Sequence, residues 1–435
     1  MSTPENQLAS DRSSRGSVVA NWPANPHVRI GEFGAEGPLT DVESEFQQTL
    51  RHFAVNVMRP LGRKIDALSA ADIIAEGSPF WEWRRRYAEL GVDVTALFEM
   101  TPEVRSRLFC IILEELGYGD GGLAISASAA MLPYYMSALF GNEFLMERFP
   151  QELIGCWAIT EPDHGSDTLD PNGMILHPEG RYGRPNTVAR IHSDRVVVNG
   201  QKSAWVSNGT IAEVCILYCA VDTGDGPDPA KGCVLVLPLD LPGISRGKPL
   251  EKLGQRGDPQ GEIFFEDVEV PLEYMLAGPE DFQRAVYCIH AEANVLMGAI
   301  WTGVARSAYD MAHEYAQQRR QGGVPICRHQ MVAWRLFHMF RRVESSCALT
   351  RRAYLYNQTS PVPALQAAMA AKVEATQTSF DVASEALQIF GGNGLTHEYP
   401  IEKIMRDARA SMIEDGCNYV LAIKGGYYLN DSEDA

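Results

Sequence analysis

Closely spaced cysteine pairs of the kind that hold structural metals are missing. The nine cysteines of this 435-residue chain are scattered, and the nearest two, Cys215 and Cys219, lie four apart in an apolar run. That spacing argues against a metal centre and for small buried thiols, which fits a reducing cytoplasm. Positive charge is also short: a formal net charge of −18 argues against nucleic acid as a partner and requires any contact with an anionic ligand to be local. The first residues lack both apolar periodicity and a basic start followed by an apolar core, so residues 1–38 read as a flexible tail and not as a signal peptide. Long uninterrupted apolar runs are scarce. The most apolar stretch, Leu123 to Phe140, contains Pro133 and is flanked by amphipathic sequence, so a buried helix pair is expected there and not a membrane span. No internal repeat is visible, and no alternation of strand and helix patterns, which excludes a doubly wound dinucleotide fold. Gly117, Gly119 and Gly122 have the spacing of dinucleotide-binding glycines but follow a helical pattern, not a strand.

What is present is an ordinary globular balance, 45% hydrophobic and 22% charged, arranged in three zones. Residues 39–155 are helical: Phe46, Leu50, Phe53, Val57 and Leu61 recur at spacings of three and four. Over residues 156–275 the period falls to two, in short β-rich runs such as Arg195–Val198, Val214–Ala220, Cys233–Pro238 and Ile263–Val270, with Gly, Pro, Asn and Asp between them. A compact antiparallel, barrel-like β domain is expected. Residues 276–435 return to helix, with patterns over Asp281–Arg320, Gln330–Tyr356, Val362–Phe390 and Pro400–Met412, predicting a C-terminal four-helix bundle and an α+β chain overall.

Five motifs then stand in order. They are WAITEPDHGSD (Trp157–Asp167), NGQKSAWVSN (Asn199–Asn208), LGQRGDPQGEIFFEDVEVP (Leu253–Pro271), the basic loop from Arg319 to Gln330, and QIFGGNG (Gln388–Gly394), followed by a Glu414-Asp415-Gly416 turn. In this order they resemble the acyl-CoA dehydrogenase family, from about Leu39 to Tyr428. The resemblance implies an FAD enzyme that removes a proton and a hydride from an acyl-CoA thioester to give a trans-2-enoyl-CoA. It implies that donors around Trp157, Ala158 and Thr160 bind the flavin pyrimidine edge, that Trp205 shields the ring and Ser207 addresses N5, and that Ser166 borders the CoA chain. It further implies that Arg319 and Gln330 reach the pyrophosphate and adenosine of a neighbouring subunit's flavin, and that Gln388, Gly391, Gly392 and Gly394 complete the dinucleotide site. Paired guanidinium bonds and bare glycine N–H groups both suit a diphosphate. A homotetramer, built as a dimer of dimers, and an electron-transfer flavoprotein as acceptor follow from the same resemblance.

Several residues depart from the family pattern. Asp415 aligns with the catalytic glutamate, Cys417 with a flavin-site threonine, Gly322 with a phenylalanine, Asn294 with an arginine near the base and CoA, and Asp258 and Gln260 with a serine and a threonine. An aspartate base is shorter by one methylene, about 1.5 Å, so an adjusted pocket is expected. Glu414 is the alternative base, Glu292 on the long bundle helix a weaker one, and a base elsewhere or absent is the remaining reading. Two rival functions stay open: a flavoprotein oxidase resembling nitroalkane oxidase, where an aspartate stands at this position, and a non-catalytic acyl-CoA-binding partner subunit.

Overall fold

The computed structural model describes residues 39–170 and 183–430. The expected N-terminal tail falls outside them. The first helix, α1 (Asp41–Phe53), opens on a reciprocal cap: Thr40 Oγ1 accepts from Glu43 N, and Glu43 Oε2 accepts from Thr40 N at 2.8 Å. It runs through one wider turn (Ala54–Met58) into α2 (Arg59–Asp66). Helices α3 (Ala70–Ile74), α4 (Pro79–Ala88), α5 (Val94–Glu99), α6 (Pro102–Gly119), α7 (Gly121–Leu139) and α8 (Glu143–Arg148) complete the N-terminal region.

The apolar stretch around Pro133 is one continuous helix, α7, where a helix pair was expected. The proline ring lies against bare Gly155, where a Cβ would come within 2.5 Å of it, so the close approach of β1 packs the proline in place within the helix, and one turn on Ser137 Oγ donates to the Pro133 carbonyl at 2.7 Å. The helix is long and apolar enough to cross a membrane, yet most of it is buried inside the fold.

The middle region is a sheet of eight strands: β1 (Gly155–Ala158), β2 (Thr187–Ile191), β3 (Arg195–Lys202), β4 (Val214–Asp222), β5 (Pro227–Pro238), β6 (Ile244–Arg246), β7 (Ile263–Pro271) and β8 (Met275–Ala277). Its order is β6-β7-β3-β2-β4-β5-β8, with β1 also on β4. The sheet is mixed, not wholly antiparallel: β1 and β2 both run parallel to β4. Alternation fixes which face a side chain takes but says nothing of strand direction, which the connecting segments decide. Strand β4 is buried along nearly its whole length, and there Cys215 and Cys219 are in register with Cys156 and Cys233, as the apolar setting of these thiols predicts.

The C-terminal bundle contains α9 (Phe282–Gln318), α10 (Gln330–Thr359), α11 (Leu365–Phe390), α12 (Ile401–Ser411) and α13 (Asn418–Asn430). The last helix is absent from the sequence reading because Gly425 and Gly426 weaken its pattern; its Leu421, buried with Leu365 and Met369 of α11, anchors it. Helices α6 and α9 cross in backbone contact. A Cβ on Gly117 would lie 2.1 Å from the Ile300 carbonyl oxygen, and one on Gly303 would lie 1.9 Å from that of Glu114. The glycines with dinucleotide-like spacing are therefore packing glycines, with Gly119 against Ala54 and Met58 and Gly122 against the backbone of Gln255.

Candidate active site

The turn Glu414–Cys417 joins α12 to α13. Asp415 and Gly416 both take positive φ, +49° and +92°, and a side chain on Gly416 would meet Leu421 at 2.6 Å. Three elements hold the turn. Lys372, fully buried on α11, donates from Nζ to the Gly416 carbonyl at 2.7 Å and to Asn418 Oδ1 at 2.9 Å. Ser166 Oγ accepts from Cys417 N at 3.1 Å. Gln255, itself at positive φ, donates from Nε2 to Glu414 Oε1 at 2.8 Å while its own N–H is taken by Asp407. Among the described residues neither the Asp415 carboxylate nor its N–H has a hydrogen-bond partner.

Electrostatics separate the two neighbouring carboxyls. Burial, reinforced by the charge of Asp415, pushes Glu414 up to about 8. Burial and the Asp258 charge raise Asp415 to about 6, opposed by the Lys372 ammonium. Near pH 7 Glu414 holds its proton and Asp415 is mostly ionised, so the two adjacent groups take different states. Glu292 lies elsewhere, buried on α9. It accepts from Tyr135 Oη at 2.6 Å, and burial pushes it up to about 7.

The sequence motifs of the β domain converge on the same region. Lys202 pairs with Glu161 at 2.7 Å and donates to the Ile159 carbonyl, and Ser203 N donates to Thr160 O, tying the first two motifs together. The Thr160 hydroxyl and N–H have no hydrogen-bond partner among the described residues, and the buried Trp157 Nε1 has none either. Ala158 is buried in β1. Trp205 is 61% exposed, an unusual setting for a large aromatic ring. Ser207 Oγ donates to Asp258 Oδ2 at 2.8 Å. Asn294 is fully buried and donates to the His290 carbonyl of its own helix at 2.8 Å.

Arg319, Gln330, Gln388, Gly391 and Gly392 form a second, exposed group at the far end of the bundle. Tyr315 stacks on Phe390 with ring centroids 4.1 Å apart and accepts from Asn393 Nδ2, which brings the end of α9 to the glycine turn after α11. Gly391 has φ +60°, and a Cβ on Gly391 or Gly392 would meet nothing within 4 Å. At the helical rise, these glycines lie about 28 Å farther along α11 than Lys372.

Residues 156–268 match the acyl-CoA dehydrogenase middle domain, and residues 283–424 match the acyl-CoA dehydrogenase C-terminal domain. The chain belongs to the acyl-CoA dehydrogenase family. It is 31% identical over 406 residues to cyclohex-1-ene-1-carbonyl-CoA dehydrogenase of Geobacter metallireducens, covering 90% of this chain and 98% of that one. It is 28% identical to the short-chain-specific acyl-CoA dehydrogenase of Clostridium acetobutylicum, covering 89% and 98%. Among solved structures, butyryl-CoA dehydrogenase from Megasphaera elsdenii superposes with a TM-score of 0.78 at 26% identity, covering 91% and 100%.

Within this acyl-CoA dehydrogenase fold, sequence reasoning missed Lys372 and Gln255. Lys372 was detectable as the one charged residue on the buried stripe Leu365, Ala368, Lys372, Ala375, Ser379 of α11. Gln255 has no such signal, because its role comes from a backbone conformation that the sequence does not announce.

Proposed function

We propose that this protein is an FAD-dependent dehydrogenase of an acyl-CoA thioester, with Asp415 as the base. One observation carries the reading: Asp415 alone in its turn keeps both carboxylate and N–H unbonded, while Lys372, Ser166 and Gln255 hold the residues on either side. A base must be rigidly placed yet free to take a proton, and this turn meets both conditions. In this reading Asp415 takes the α-proton on its carboxylate, and its N–H is open to the thioester carbonyl oxygen, where negative charge develops. Glu414, protonated and hydrogen-bonded to Gln255, keeps a second negative charge away from that centre.

The residues present fit a flavin. The unbonded Thr160 hydroxyl and N–H, the free Trp157 Nε1 and the buried Ala158 strand would hold the pyrimidine edge, with the exposed Trp205 ring, Ser207 and Cys417 beside the ring system. Open backbone at Gly391 and Gly392, with Arg319, Gln330 and Gln388, would hold the diphosphate and adenosine of a flavin bound to another copy. Bound FAD supplies the acceptor for the hydride that leaves the β-carbon. The separation of the two groups along the bundle supports a shared site and a homotetramer. So does the exposed face of Met331, Trp334 and Phe337 on α10.

For the substrate, the short-chain and cyclohexene-carbonyl relatives point to compact acyl groups, short-chain or alicyclic, and Ser166 would border the CoA chain. Asn294 brings no cation to the base. An electron-transfer flavoprotein is the proposed acceptor and the cytoplasm the proposed setting. Anaerobic titration of the purified protein with straight-chain, branched and alicyclic acyl-CoAs tests the reading through bleaching of the flavin absorbance. A bound flavin that no acyl-CoA bleaches, with rapid peroxide formation in air, moves the assignment to an oxidase. Protein that purifies colourless and refuses FAD moves it to the partner-subunit reading.

A further inference from the structure

Asp258 stands where the family pattern has serine, and its surroundings give it a role. It is fully buried, its Oδ2 accepts from Ser207 Oγ at 2.8 Å, and among the described residues its Oδ1 has no hydrogen-bond partner. A ring of polar groups closes around this contact. Gln260 Nε2 donates to Ser207 Oγ at 3.3 Å and to the Trp205 carbonyl at 3.1 Å, while Lys252 Nζ donates to the Asp258 carbonyl at 2.6 Å and to Gln260 Oε1 at 2.8 Å. Ser207 and Gln260 also face each other as a β-bridge. The serine hydroxyl is thus fixed in place, and only the direction of its single hydrogen is free to change.

That direction depends on Asp258. While Asp258 is a carboxylate, the Ser207 hydrogen goes to Oδ2, and Ser207 meets any other group as an acceptor. When Asp258 carries a proton on Oδ2, it becomes the donor, and the Ser207 hydrogen is released toward the opposite side. We propose that Asp258 is a positioning residue that sets whether Ser207 donates to or accepts from the reacting nitrogen of the flavin, and so tunes the flavin's reduction potential. The inference rests on the reading above that Ser207 faces that nitrogen. An oxidised ring nitrogen offers a lone pair and a reduced one an N–H. A donating serine therefore favours the oxidised ring, and an accepting serine the reduced one.

The groups around Asp258 pull in both directions. Burial favours its neutral form, as does the nearby Asp415 carboxylate, while the Lys252 ammonium, the Ser207 hydroxyl and the Asn208 N–H favour the charged one. Lys252 is in turn half-buried near Glu414, Asp407 and Arg256.

The test is the flavin midpoint potential of the FAD-loaded full-length protein, measured spectroelectrochemically in wild type, Asp258→Asn, Ser207→Ala and the double variant, with bound FAD quantified in each. The asparagine amide donates permanently to Ser207, which locks the hydroxyl as a donor. Loss of the carboxylate charge alone shifts the potential equally with or without the serine. The expected result is a Asp258→Asn shift that is more negative with Ser207 present than in the Ser207→Ala background. Equal shifts in the two backgrounds overturn the proposal. If Ser207→Ala by itself leaves the potential of a fully loaded protein unchanged, Ser207 does not face the ring, and the site reading falls first. Should Asp258→Asn lose its FAD, potential against pH in wild type and Ser207→Ala makes the same comparison: a bend that survives unchanged without the serine overturns the proposal.

Discussion

Lys372 Nζ lies 2.7 Å from the Gly416 carbonyl oxygen, so a fully buried ammonium on α11 fastens the turn that presents Asp415. The contact does two things at once. It fixes a backbone held at positive φ, and it puts a positive charge beside Asp415, whose carboxyl burial would otherwise neutralise.

Lys372→Met removes both effects. Because the ammonium holds the Asp415 pKa down, its loss moves the acid limb of the kcat/KM profile upward from near pH 6, and the loosened turn lowers kcat by about a hundredfold or less. A pH–rate series checks this. An acid limb that stays in place would show that Lys372 does not act on the base.

Asp415→Asn and Glu414→Gln assign the base between two adjacent carboxyls. The asparagine variant is expected to keep its flavin and lose roughly 100- to 10,000-fold in the reductive half-reaction, the usual contribution of a general base. The glutamine variant keeps an oxygen for Gln255 to donate to and is expected to stay within about tenfold of wild type. Stopped-flow reduction of the bound flavin reads both, and the reverse ranking makes Glu414 the base.

Glu292 predicts a pH dependence of stability. Its folded pKa, about 7, lies above the ordinary glutamate value, so the neutral form is favoured in the fold. The stability it contributes is complete below about pH 4.5 and is lost as pH rises through 7, on the order of 3 kcal/mol at about 1.4 kcal/mol per pH unit. Glu292→Gln, still able to accept from Tyr135, should lose less stability than wild type between pH 5 and 8 in urea titrations. Parallel curves for the two proteins would remove Glu292 from the account.

Gly303→Ala tests the α6–α9 crossing. Its added methyl group would sit 1.9 Å from the Glu114 carbonyl oxygen, backbone that cannot turn aside, so the two helices must separate. A loss of about 1–3 kcal/mol is expected from overpacking at this point. A shift in the denaturation midpoint measures it, and an unchanged midpoint would mean that the crossing tolerates a wider spacing.

Much of this was legible in the residues. The helical spacing of Phe46 through Leu61, the alternation around Val214–Ala220 and the long helical pattern after Asp281 each report a local period, and local periods determined the α+β class and the order of its three zones. The five motifs, read as a resemblance, led to the family because each combines residue types that serve one chemistry. Tertiary structure decided what depends on residues far apart in the chain. Strands β1 and β2 run parallel to β4 because connections, not side-chain alternation, set direction. The Pro133 ring is held within a helix against bare Gly155 of β1, more than twenty positions on. Lys372, Gln255 and Ser166 meet at one turn across separations of 44, 159 and 251 positions, a convergence that no local pattern encodes. The different states of Glu414 and Asp415 were likewise undecidable from the letters alone, since burial and neighbouring charge, not residue type, set the proton affinity of a carboxyl.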